Sequence, residues 1–174
     1  MPGQTGPAGW FGKVASLGDF SSRRLPQDFV ARCDDWLSRG ISVSRSQLGE
    51  HWLNTYLTAP IWRFAWSPGL AGPTWWVGVM MPSVDNVGRY FPLVIAQPFT
   101  HAPVHDPAHA AMQHWLDHMA HAAMSTLQAG VNVDAFESQL MAAPVWDPGL
   151  PDSGPALRRL VGRDRYESHQ STPL

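Results

Sequence analysis

Thr74 to Met81, Thr-Trp-Trp-Val-Gly-Val-Met-Met, is a nearly unbroken apolar run, closed by Pro82. A strand of that composition has nothing to offer solvent on either face, so it predicts a central strand covered on both sides. Adjacent Trp75 and Trp76 must then point to opposite faces. The turn-forming residues Ser67, Pro68, Gly69, Gly72 and Pro73 precede the run, and Ile61 to Trp66 before them alternates large apolar residues with Arg63, so the two segments read as a hairpin with a long loop. After the turn Asp85-Asn86-Val87-Gly88, Arg89 to Phe99 returns as a third apolar strand, which gives a three-stranded antiparallel core in chain order.

A sheet covered on both faces needs helices, and the sequence supplies them before and after the strands. Phe29, Val30, Cys33, Trp36, Leu37 and Ile41 recur at helical spacing behind Pro26, with Arg32, Asp35 and Arg39 on the other side. Gly40 is expected to end or kink this helix. A second helical pattern carries Leu48, Trp52, Leu53 and Tyr56 to Ala59 and stops at Pro60. Asp106 and Pro107 open a long helix with Met112, Trp115, Leu116, Met119, Ala123 and Leu127 on one face and Gly130 at its close, and a shorter helix spans Asp134 to Ala142. Near the start, Trp10 to Val14 reads as a short strand, with Ser16 to Phe20 as a turn and Arg23 and Arg24 on the loop behind it. The fold class that follows is α/β, a layered αβα sandwich with a mostly antiparallel central sheet flanked by helices. No βαβ alternation supports a Rossmann fold.

The organisation expected is a Gly/Pro-rich disordered lead over 1–8, a single domain over 9–143 and an irregular arm over 144–174. With 174 residues, 44% of them hydrophobic, one domain closes a core where two halves would not. A net charge of −2 offers no footprint for nucleic acid or anionic lipid. The eleven Arg against one Lys favour interfaces and paired sites. One cysteine, Cys33, no secretory signal and no apolar run near the roughly 18 residues of a membrane span point to a cytoplasmic protein.

Histidine is the most conspicuous candidate chemistry. His101, His105 and His109 are spaced by four, and His114, His118 and His121 share a face of the long helix, a spacing that can hold zinc or nickel. Only Asp117 is nearby to complete the set, and it is offset, so a solvated polar face opposite the Met/Trp stripe is the simpler expectation. Ser83 lacks a Gly-x-Ser-x-Gly elbow and a local histidine, and Gly9, Gly12 and Gly18 form no phosphate-binding pattern, so neither nucleophilic catalysis nor nucleotide binding has a motif. Asp19, Asp85 and Arg89 are expected to form an ion-pair cluster that orders two loops. Trp62, Trp66, Trp75 and Trp76, on or beside the hairpin, are candidate interface aromatics.

Four stretches together resemble the TagF (ImpM) family: Gly9-Trp10-Phe11-Gly12-Lys13 with Gly18-Asp19-Phe20; Leu25, Pro26 and Phe29 to Leu37; Trp52 to Phe64; and Met81-Pro82-Ser83-Val84-Asp85-Asn86-Val87-Gly88-Arg89-Tyr90-Phe91-Pro92. The resemblance covers residues 9–100, and the last block carries most of it. It implies a cytoplasmic, non-enzymatic accessory protein without cofactor. Such a protein represses assembly or firing of the bacterial type VI secretion system after translation, through its forkhead-associated scaffold protein. On that reading Gly18, Asp19, Ser83, Asp85, Gly88 and Arg89 are interaction or loop-ordering candidates. The alternative is a metal-binding module or small metal-dependent hydrolase on His114, His118 and His121.

Overall fold

The computed structural model describes residues 6–99 and 106–144. Five strands form one sheet: β1 (Gly9–Gly12), β2 (Ser21–Arg23), β3 (Trp62–Trp66), β4 (Trp75–Met81) and β5 (Leu93–Phe99), in spatial order β2-β1-β5-β4-β3. Every pairing is antiparallel. The β3–β4 hairpin pairs Trp62 with Met80 and Trp66 with Trp76, and β4 pairs with β5 from Trp75–Phe99 to Met81–Leu93. The expected three-strand core is thus extended by β1, which pairs with β5, and by β2 on the outside.

The period of two divides the sheet between two cores. Trp10, Val77, Val79, Met81, Leu93, Ile95 and Phe99 face α3 (Asp106–Ser125) and α4 (Val133–Met141), where Met112, Trp115, Leu116, Met119, Phe136 and Leu140 are buried against them. Phe11, Trp76, Val94 and Ala96 face α1 (Gln27–Leu48), which buries Phe29, Cys33 and Leu37. Trp75 and Trp76 part to the two faces, as the strand period requires. The architecture is an αβα sandwich. Each fully buried large side chain contributes roughly 1.5–3 kcal/mol by leaving water, and Trp10, Phe29 and Phe136 are at 0% exposure.

Several local expectations are corrected. Gly40 neither ends nor kinks the first helix: α1 runs through it to Leu48, and Gly49, at φ 53°, terminates it with its N–H on the Arg45 carbonyl. Trp36 is not in the core but 54% exposed, because the buried stripe narrows to Phe29, Cys33 and Leu37. The second helical pattern breaks into a 3-10 turn, Gly49–His51, and a short α2 (Trp52–Leu57). Arg23, expected on a loop, lies in β2, and the third strand starts at Leu93 rather than Arg89, preceded by a lone bridge between Val84 and Tyr90. The long helix ends at Ser125, which leaves Leu127 half exposed beyond it. At Gly78 a Cβ would meet the Ile95 carbonyl at 2.2 Å and the Phe64 ring at 2.8 Å, so glycine lets Phe64 lie across the sheet.

Candidate functional site

The turn between β4 and β5 is built around a buried carboxylate. Asp85 has a side chain at 0% exposure and accepts from Lys13 Nζ and Arg89 Nε, each at 2.7 Å, and from the backbone N–H groups of Arg89 at 2.8 Å and Val87 at 3.1 Å. Burial alone would raise this carboxyl, but the donors from Lys13, Arg89 and Val87 outweigh it and hold it well below the usual carboxylate range. Lys13 is carried there by β1. Gly12, at φ 126°, turns the chain where a Cβ would strike the Pro92 carbonyl, and Lys13 follows buried, its ammonium 4.2 Å from the Phe20 ring centre.

Arg89 links the turn to the loop after β1. Its guanidinium donates to the Gly18 carbonyl and lies 3.7 Å from Asp19, and Asn86 N–H donates to the Leu17 carbonyl at 3.1 Å. Gly18, Asp19, Phe20, Asn86, Val87, Gly88 and Arg89 are all exposed, over the buried Asp85 and Ser83. The turn is clasped from α2 as well: Tyr56 Oη donates to the Ser83 carbonyl at 3.0 Å and accepts from its N–H at 2.9 Å. Tyr56 stacks on Trp52, and both meet the edge of Tyr90. Burial pushes the Tyr56 hydroxyl up to about 12, against the opposing pulls of the Ser83 backbone and Arg45. Ser83 Oγ is buried with no hydrogen-bond partner among the described residues.

The structure therefore brings Gly18, Asp19, Ser83, Asp85, Gly88 and Arg89 to one place and adds Lys13, Tyr56 and Phe20. The only lysine of the chain, following an apolar strand, was the signal for Lys13. A second polar centre was missed altogether. Glu137 on α4, 5% exposed, accepts from the Trp10 indole and from Arg24 Nη1 at 2.6 Å, with Arg23 at 3.7 Å. Burial opposes its ionisation, and the donors from Arg24 and Trp10 with the nearby Arg charges lower its pKa nonetheless. Arg24 is held at φ 60°, and its Nε donates to the Ala8 carbonyl at 3.0 Å. The clue was a glutamate between Phe136 and Leu140 on the buried side of a helix.

The aromatic candidates separate. Trp76 is buried, its indole donating to the Ala71 carbonyl at 3.0 Å, and Trp75 is partly buried on the opposite face. Trp62 is 57% exposed, and Trp66 is half-buried between Phe29, Phe64 and Trp36. Cys33 is buried, and that burial, with Asp34 beside it, pushes the thiol up to about 12.

Among the described residues the histidines do not assemble a donor set. His118 Nε2 is 2.8 Å from the Gln139 carbonyl, and His121 Nδ1 is 2.7 Å from the Asp117 carbonyl. Among the described residues no group of three or more His, Cys, Asp or Glu is placed to hold a metal ion. His101 and His105 lie outside the described residues. No described helix is long and apolar enough to cross a membrane.

No curated protein matches the chain. The crystal structure of PA0076 from Pseudomonas aeruginosa PAO1 is similar, with a TM-score of 0.71 and 41% sequence identity over 79% of this chain and 63% of that one. The chain thus spans less than two thirds of PA0076. The family model that matches, over residues 9–143, describes the TagF N-terminal domain, type VI secretion system-associated. The match runs through both helical layers and the sheet between them, and the chain belongs to the TagF N-terminal domain family of type VI secretion-associated proteins.

Proposed function

We propose that this protein is a non-enzymatic, cytoplasmic accessory factor that restrains assembly or firing of the type VI secretion system after translation, by binding the system's forkhead-associated scaffold protein. The observation that carries the reading is the match to a secretion-associated family across 9–143. The geometry supports it in a specific way. Two loops are tied into one rigid exposed face by a buried carboxylate, a construction suited to presenting a surface, since side chains on a preordered loop lose less entropy on binding. Asp19, Phe20, Val87 and Arg89 are the exposed members, while Asp85, Lys13, Ser83 and Tyr56 hold them in position.

The test separates those two roles. Purified scaffold protein is titrated with wild type and with a Phe20→Ser, Val87→Asp double variant, with far-UV circular dichroism and thermal melts as controls on folding. Val87 is 65% and Phe20 47% exposed, and the melts report what is lost when the Phe20 ring leaves Lys13 and Phe91. Binding at least tenfold weaker is expected. Equal binding by a folded variant removes this face from the scaffold contact.

A further inference from the structure

Among the described residues β3 is an edge strand with one side unpaired, and its sequence is close to its own mirror about the middle. Trp62, Phe64 and Trp66 occupy alternate positions toward the α1 side, while Arg63 and Ala65 point to the α3 side. Unpaired edges of this kind are commonly blunted by charge, proline or a bulge. Here Arg63 carries the edge's one charge, and it is already bound to Gln113 Oε1 at 2.8 Å and Asp117 Oδ1 at 2.5 Å on α3. Beside the strand, between α1 and β4, runs a groove of about 260 Å³ lined by Cys33, Trp36, Trp62, Phe64, Trp66 and Met80.

We propose that β3 pairs antiparallel with β3 of a second copy about a two-fold axis at Phe64, joining two five-stranded sheets into one of ten strands. The residues argue for this occupant. In that register Trp62 faces the second copy's Trp66, Phe64 faces Phe64, and Arg63 faces Ala65, so three aromatic pairs form on one side and no like charges meet on the other. A contact between identical patches requires this self-complementarity, which a foreign strand would not. The second copy's Trp62 then lies over Trp66, whose ring edge already meets Trp36 at 5.6 Å between centroids.

The exposed rings supply a large share of the surface a stable pairing needs. Trp36 and Trp62 are 54% and 57% exposed. At roughly 250 Å² for a whole indole side chain, they lay out roughly 280 Å² per copy. Two copies supply nearly half of the roughly 1,200 Å² at which stable interfaces begin. The strand backbones and the Phe64 rings add to it.

Sedimentation equilibrium on the 174-residue chain tests the pairing. Wild type is expected to form a dimer whose population rises with concentration, and Trp62→Asp, at an exposed position, to weaken it at least tenfold while circular dichroism stays unchanged. An Arg63→Cys, Ala65→Cys double variant is expected to oxidise to a covalent dimer on a non-reducing gel, since each new cysteine faces the other type across the axis, and the native Cys33 is buried. Wild type that stays monomeric at every concentration overturns the proposal, as does a dimer that Trp62→Asp leaves intact. Absence of the covalent dimer overturns the register. A monomer whose Trp62→Asp variant loses scaffold binding assigns the edge to that partner and also overturns it.

Discussion

Asp85 concentrates the physics of the site in one side chain. A buried carboxylate is stable only when its lone pairs are met, and here two cations and two backbone N–H groups meet them. Because its pKa is lowered in the folded state, the stability it contributes is fully present above the unfolded value near about 4 and is lost as pH falls toward the folded value. Asp85→Asn is therefore expected to lower the urea midpoint at pH 7 and to flatten its decline below about pH 4.5. Wild type and variant with parallel acid limbs would contradict the assignment; Glu137, lowered in the same direction, leaves a residual slope in both. Asp85 and Arg89 are four residues apart and share a turn, so their pairing was legible in the sequence. Lys13 is 72 residues from Asp85, and Glu137 is 127 from Trp10, so no local spacing encodes either contact. What the sequence does hold is an anomaly, a charged residue amid an apolar pattern, without its partner's address.

At the scale of elements, legibility followed burial. β4 and its hairpin were readable because a strand covered on both faces admits almost no polar residue. β2 was not: Ser-Ser-Arg at a sheet edge has no apolar side to declare, and its place is set by pairing with β1. In α1 local propensity was overruled. Gly40 costs the helix about 1 kcal/mol relative to alanine, less than the anchoring of Phe29, Cys33 and Leu37 on the sheet provides. An added Cβ at Gly40 meets nothing within 4 Å, and the position is exposed. Gly40→Ala is thus expected to stabilise the protein by about 0.5–1 kcal/mol, read as a Tm raised by roughly 1–4 °C. An unchanged or lower Tm would mean that the helix needs flexibility there. Trp36 taught the converse, since a residue at helical spacing belongs to the core only if the opposing surface is wide enough to cover it.

Across the whole molecule, the two polar centres hold β1 by both faces of its neighbourhood. The Trp10 indole ties it to Glu137 on α4, while Lys13, just past its end, ties it to Asp85 in the β4–β5 turn. The sheet's interior is thereby fixed, and its surface is left with two distinctive regions: the paired loops around Asp19 and Arg89, and the aromatic edge at β3. The proposed function makes binding the activity of this layout and places its consequence in secretion. The most direct measurement is the amount of type VI substrate released by cells lacking the protein, beside cells overproducing it. Restraint of the system predicts that release rises on deletion and is silenced on overproduction. Release that is unchanged, or abolished by deletion as for a structural subunit of the apparatus, would contradict it.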